Sequence, residues 1–391
     1  MSAQPAAQPA AQATEPPAVH PVALSVTDYA DRARSVLGAP AWDWLEGGAG
    51  QERTLAANRA ALDRISVVPR VLADVASCDS GAVLLGRPAR LPVAVAPVAY
   101  QRLFHPDGEA AAARAAAAAG IPFVVSTLTS TPLAELAATG AELWFQLYWP
   151  KDDALLLRLV RGAEEAGCRA LVVTVDVPFM GRRLRDARHG FALPQDVRAV
   201  LLDTPGASAA HRRTAHASAV AAHTAEVFSA SVGWRDLARL RRVTDLPLVV
   251  KGVLDPGDAV RAAETGAAAV VVSNHGGRQL DGAVPSAVAL PAVVRRLRAA
   301  GAEHCLVLSD SGVRSGSDVL AMLALGASGV LLGRPLVWGL AAGGEHGCAD
   351  VLRLLGEEFR QAMALAGCPD LAAVAGLRTS ADACSCGSRP W

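Results

Sequence analysis

Residues 246–281 read LPLVVKGVLDPGDAVRAAETGAAAVVVSNHGGRQLD. The opening run, 246–252, is apolar up to Lys251 and does not alternate with polar residues, the pattern of a strand covered on both faces. Residues 256–266 begin with Pro256 and end with Gly266, the punctuation of a helix. A second apolar run, 269–274, closes on Ser273 and Asn274. Strand, helix and strand in succession make one β–α–β unit, the building block of a parallel sheet.

Working outward, the same unit recurs. Runs rich in Val, Leu and Ile occupy 91–97, 122–127, 143–148, 170–176, 305–310 and 329–334. Helical segments fit 105–120, 152–167, 285–301 and 316–326. With the two runs above, the strands number eight, which predicts a closed (β/α)8 TIM barrel of about 250 residues plus extensions. A doubly wound open sheet fits less well, because no glycine-rich dinucleotide turn follows the first strand. The connection from Asp176 to Gly252 is much longer than the others, and predicts a substrate lid inserted after the fourth strand. Before the barrel, Ser25-Val26-Thr27-Asp28 with Tyr29, Ala33 and Val36 predicts an N-terminal helical extension. Residues 1–20, mostly Ala, Pro and Gln, read as a disordered tail. The barrel domain is expected over 21–375 and a loose C-terminal tail over 376–391.

Composition narrows the function. The chain has 391 residues, 52% hydrophobic and 19% charged, so it can build a large core. Lys plus Arg and Asp plus Glu are both 37. A zero net charge argues against a general nucleic-acid binder, and any acidic substrate must be met by a few placed cations. No apolar run reaches about 18 residues, so no membrane span is expected. With no secretory signal visible, a cytoplasmic location is expected. The seven cysteines are odd in number and scattered; they read as reduced thiols with no metal site.

In such a barrel the chemistry sits at the carboxyl ends of the strands. Those ends supply Ala99 and Tyr100, Ser126 and Thr127, Gln146 and Tyr148, Thr174 and Asp176, Lys251, Ser273 to His275, Asp310, and Gly333 with Arg334. The last two turns, Ser309 to Gly316 and Gly333-Arg334-Pro335, combine glycines with Arg314 and Arg334, as a phosphate site requires. Lys251 is a Schiff-base nucleophile, a cation beside an electron-rich cofactor, or a member of a plain ion pair. In Ser273-Asn274-His275-Gly276-Gly277-Arg278, the histidine can exchange protons near neutral pH and the arginine can grip a carboxylate. Asp176 is a candidate to orient the histidine.

These residues resemble the FMN-dependent 2-hydroxy acid oxidase and dehydrogenase family. The resemblance rests on 273–279, on Ala96-Pro97 through His105-Pro106, and on Phe145-Gln146-Leu147-Tyr148, Thr174-Val175-Asp176-Val177-Pro178, Gly181-Arg182-Arg183, Val250-Lys251-Gly252 and Gly333-Arg334-Pro335. It runs from about residue 25 to 375. It implies FMN as cofactor, with Ala99 at the flavin edge and Ser126, Gln146, Thr174 and Ser273 along the ring. Lys251 would stabilise negative charge on reduced flavin. Asp310, Gly312, Arg314, Gly333 and Arg334 would hold the ribityl chain and phosphate. Arg183 and Arg278 would clamp the substrate carboxylate, Tyr148 would bond the substrate oxygen, and His275 would be the base, its imidazolium stabilised by Asp176.

The reaction implied is oxidation of an (S)-2-hydroxy acid to the 2-oxo acid, by carbanion or hydride, with O₂ reduced to H₂O₂. Alternatives are a lactate- or mandelate-type dehydrogenase with another electron acceptor, and a phosphosugar lyase or isomerase using Lys251. Two departures from the family pattern stand out. Trp44 occupies the place of a carboxylate-touching tyrosine, and Ser311 stands where a glycine is usual. Trp44, Tyr100, Leu128 and Met180 are candidates for the side-chain pocket. Leu128 replaces a larger aromatic residue, which predicts aromatic acids of the 4-hydroxymandelate kind over glycolate and lactate. Relatives of the family are often tetramers, so a homo-oligomer is expected.

Overall fold

In the computed structural model, which describes residues 22–202, 208–213 and 216–381, eight short parallel strands close into one barrel. A hairpin, β1 (Ala82–Leu84) and β2 (Arg87–Ala89), precedes it. The barrel strands are β3 (Val93–Val95), β4 (Phe123–Ser126), β5 (Leu143–Leu147), β6 (Leu171–Thr174), β7 (Leu248–Val253), β8 (Ala267–Val272), β9 (Leu306–Ser309) and β10 (Gly329–Leu332). They pair in chain order, and β10 returns to β3. Six fall within the apolar runs read from the sequence; β7 runs one residue past the end of its run and β8 starts two residues before the start of its own.

Side chains alternate between two layers along each strand. Ala94, Val124, Trp144, Val172, Val249, Val271, Leu308 and Leu331 pack together inside the barrel, with Leu84 and Ala89 of the hairpin plugging its lower end. Val93, Val95, Phe123, Val125, Phe145 and Val270 face the surrounding helices. Two residues beyond each inner apolar position, on the same face, stand Ala96, Ser126, Gln146, Thr174, Lys251, Ser273, Asp310 and Gly333. The period of two therefore turns a row of apolar side chains into a row of polar or small ones at the carboxyl rim.

The extension before the barrel forms α1 (Asp28–Val36), α2 (Ala39–Glu46) and α3 (Arg53–Asp63). Asn58 of α3 exchanges two hydrogen bonds with Asn274, at 2.9 and 2.7 Å. The barrel helices include α4 (Gly108–Ala119), α5 (Leu133–Ala137), α6 (Asp153–Glu165), α10 (Pro256–Glu264), α11 (Ser286–Ala299) and α12 (Gly316–Ala324). A kinked helix, α13 (Arg334–Leu365), packs on α4 and α1, and α14 (Leu371–Ala375) follows. The expected tail over 1–20 lies outside the described residues, as do Cys384 and Cys386. The C-terminal boundary moves, however: Leu377 and Thr379 of the expected loose tail are buried, and Thr379 bridges to Val67.

The β6-to-β7 connection carries α7 (Leu184–His189), α8 (Ala219–Val227) and α9 (Trp234–Arg241). It is tied to the rim by a bridge between Pro150 and Phe228 and by the bond from Ser229 N to Trp149 O, 2.9 Å. One carboxylate anchors another stretch of the same rim. Glu109 is fully buried and accepts from Gln101 N, Ser130 N, Ser130 Oγ and Thr131 Oγ1 at 2.6–3.0 Å, which fixes the loops after β3 and β4.

Candidate active site

The polar row opens into a cleft at the carboxyl rim of the barrel, the usual place for a ligand in this architecture. Of the residues expected at the site, sixteen line it: Trp44, Ala99, Ser126, Leu128, Tyr148, Thr174, Met180, Arg183, Lys251, His275, Arg278, Asp310, Gly312, Arg314, Gly333 and Arg334. Gln146, Asp176 and Ser273 stand one layer behind. Gln146 accepts from Ser126 Oγ (3.3 Å) and donates to Thr174 Oγ1 (3.0 Å), so it locks two lining hydroxyls. Tyr100 is a correction: it is fully buried behind Trp44, its ring 6.2 Å from the indole. Its backbone turns into the left-handed region, φ 56°, its N–H donates to Leu128 O, and it is not among the residues that line the cleft, as Ala99 is.

The base is built by two strands. His275 follows β8 in a left-handed conformation, φ 59°, and its N–H donates to Ser273 Oγ at 3.0 Å. Its Nδ1 lies 3.1 Å from Asp176 Oδ1. Burial pulls the imidazole below its usual range although Asp176 pushes it up. Asp176 stays below the usual carboxylate range despite its burial, because of His275 and Lys251. The pair is thus a neutral imidazole donating from Nδ1 to an ionised carboxylate, which leaves the Nε2 lone pair as the base. Gly252 (φ 107°) makes room for this pair: a Cβ there would lie 2.6 Å from Asp176 Cβ.

Lys251 is buried, with Nζ 2.9 Å from Asp310 Oδ2 and 2.9 Å from Ser273 Oγ. Its burial favours the neutral amine, but Asp310 and Asp176 outweigh that and raise its pKa. A Schiff-base lysine must lose its proton; this one is held as a cation. Tyr148 is pushed up to about 12 by burial and by Asp176, so its phenol stays protonated.

Four guanidiniums share the cleft. Burial first, and then neighbouring arginines (Arg185 in the case of Arg334), press Arg183, Arg278, Arg314 and Arg334 below the usual arginine range, Arg314 to about 10. Arginine keeps its proton in proteins, so the pressure amounts to an unmet demand for anions. Trp44 gathers two of them: the Arg183 and Arg278 guanidiniums lie 5.8 and 5.2 Å from the centre of its ring, within cation–π range. Arg278 also donates to the carbonyls of Trp44, Leu45 and Gly47 at 2.7–3.0 Å. Arg314 and Arg334 flank the amino end of α13, whose dipole adds to their charge. Ser311 holds a left-handed φ of 76°, where a glycine would be easier. Its Oγ donates to Asp310 Oδ1 (2.7 Å) and accepts from Gly276 N (3.0 Å), which offsets the strain.

A family model described as FMN-dependent dehydrogenase matches residues 33–379. The chain belongs to the FMN-dependent dehydrogenase family. This family member is 53% identical over 356 residues to the 4-hydroxymandelate oxidase of Amycolatopsis orientalis, covering 91% of this chain and 98% of that one. It is 43% identical over 354 residues to the L-lactate oxidase of Nostoc sp., covering 89% and 95%. A crystal structure of mandelate oxidase with (S)-4-hydroxymandelic acid matches with a TM-score of 0.89 at 52% identity, over 92% of this chain and 99% of that one.

FMN is the cofactor of this family member, and the cleft fits it. Arg314 and Arg334 at the α13 terminus await a phosphate, while Lys251 provides a fixed cation beside the neutral row of Ser126, Thr174 and Ala99. Arg183 and Arg278 form a second anion demand beside His275, suited to a substrate carboxylate. Sequence reading missed the third wall, Val220, Thr224 and Phe228 of the lid. Their spacing of four marks one face of a helix, but not the surface that face covers, which depends on how the lid closes over the barrel. The platform role of Trp44 beneath both arginines was also hidden, since no spacing rule joins residues so distant in sequence.

Proposed function

We propose that this enzyme oxidises an aromatic (S)-2-hydroxy acid, 4-hydroxymandelate, to the 2-oxo acid, with O₂ reduced to H₂O₂. The observation that carries the reading is the convergence in one cleft of the His275–Asp176 base, the Arg183–Arg278 cation pair and an apolar wall of Leu128, Met180, Val220 and Phe228. The likeness to the 4-hydroxymandelate oxidase of Amycolatopsis orientalis supports the aryl choice.

Arg183 and Arg278 bind the carboxylate and fix the α-carbon, converting encounter into a held geometry. The indole N–H of Trp44, buried with no partner, is a further donor beside them. His275 takes a proton at Nε2, and Asp176 stabilises the ring as it gains charge. The Tyr148 phenol donates to the substrate oxygen. The lid residues Val220 and Phe228 cover the aryl side and exclude water. FMN, when bound, supplies a two-electron acceptor that passes the pair to O₂.

Comparing kcat/KM for 4-hydroxymandelate, mandelate and L-lactate under oxygen uptake tests the reading. The aryl acids are expected to lead with stoichiometric peroxide. A preference for lactate overturns the substrate, and dye reduction without oxygen uptake overturns the acceptor.

A further inference from the structure

One carboxylate beside the clamp has no work in this mechanism. Asp186, in the first turn of α7, is 1% exposed. Both of its carboxylate oxygens are buried and neither accepts a hydrogen bond. Its nearest cation is Arg183 Nη1, 3.9 Å from Oδ2, beyond hydrogen-bond length. Arg183 Nε is buried and unpartnered too. The charged or titratable groups facing Asp186 are Arg183 and His189 of its own segment, Arg278 from the loop after β8 and Asp43 from α2. Buried carboxylates are ordinarily saturated with donors, as Glu109 is here. Asp186 instead is balanced only through space by the two clamp arginines.

We propose that Asp186 is the resident counter-ion of the Arg183–Arg278 clamp and takes up one proton from solvent when a carboxylate ligand enters it. With the clamp empty, the two guanidiniums pull toward the ionised form and offset part of the cost of burial. Once the ligand supplies the counter-charge, Asp186 is a second anion facing the same two cations, with Asp43 already opposing it. Burial already holds this carboxyl above its usual range against the pull of the two arginines, and the ligand's charge pushes it further the same way. The charge balance closes: one anion and one proton enter together. Because the 2-oxo acid product is also an anion, the proton stays until product leaves. The inference rests on the proposed function only in taking the ligand to be a carboxylate.

By linkage, each unit by which binding raises the carboxyl's pKa makes the ligand about tenfold tighter when the proton is already in place. The test is calorimetric titration of the FMN-loaded enzyme with phenylacetate, which has no 2-hydroxyl to oxidise, in two buffers of different ionisation enthalpy between pH 6 and 8. Wild type is expected to take up a proton on binding, in part or in full, and to bind more tightly as pH falls. Asp186→Asn is expected to lose that uptake and to bind about tenfold tighter at the upper pH, while His275→Asn keeps the uptake. Absence of uptake in wild type, its persistence in Asp186→Asn, or its loss in His275→Asn each overturns the proposal. A weaker Kd in Asp186→Asn also overturns it, since that is what a purely structural role gives. If Asp186→Asn does not fold, the wild-type and His275→Asn proton counts decide. Failure of the aryl reading shows separately, as acetate binding more tightly than phenylacetate, and the proton count is then taken with acetate.

Discussion

Replacing Asp176 by Asn separates the chemistry of the base from its geometry. The carboxylate sits 3.1 Å from His275 Nδ1, and both side chains are largely buried. At that distance and an effective dielectric of about 20, a full imidazolium–carboxylate attraction is about 5 kcal/mol. The ring charge develops as the proton moves, so most of this is felt in the transition state. Losing about 3–5 kcal/mol corresponds to a fall in kcat of roughly 10²–10⁴-fold. Asn is close in shape and leaves the cleft-lining donors unchanged, so FMN binding and KM are expected to change little. The pH profile adds a second reading. Asp176 raises the proton affinity of His275, so its loss moves the acid limb of kcat/KM to lower pH even as the rate falls. Steady-state oxygen uptake from pH 5 to 9, with the flavin spectrum as a check on loading, measures both. A kcat within tenfold of wild type, or an acid limb moving upward, refutes the reasoning.

Gly252→Ala forces a Cβ into Asp176, so at least a 100-fold loss of kcat is expected, with the flavin still bound by spectrum. Lys251→Met leaves Asp310 buried without its cation; a loss of about 3–5 kcal/mol by urea unfolding and weaker FMN retention on gel filtration are expected. Glu109→Ala strands four buried donors and is expected to cost about 3–5 kcal/mol in the same assay. In the wild type, His275 must be neutral to act and its pKa lies below its usual range. Activity is therefore expected to hold through neutral pH and to decline only as pH drops below about 6.5, read from kcat/KM against pH.

Much of the architecture was legible because it is repetitive. A strand buried on both faces leaves an apolar run, and a period of two carries the inward face from Val249 to Lys251 and from Leu308 to Asp310. The rim residues could be read from strand ends for that reason. Tyr100 misled because it lies five residues past the end of β3, where the backbone has turned and the period no longer decides where a side chain points. The lid wall of Val220, Thr224 and Phe228 carried only the spacing of one helix face, which does not say which surface it will cover. Trp44 was noticed as a departure, yet its seat beneath Arg183 and Arg278 follows from the packing of α2 over the barrel mouth. Asp186 was invisible for a related reason: only burial and the absence of a donor single it out from the other carboxylates.

Anaerobic mixing of the purified, yellow enzyme with (S)-4-hydroxymandelate, followed in the visible spectrum, tests the central claim most directly. The account predicts rapid bleaching in the wild type, recovery of colour on admitting air, and a His275→Ala variant that is equally yellow but does not bleach. A protein that stays colourless when FMN is supplied, or a His275→Ala variant that bleaches at the wild-type rate, contradicts it.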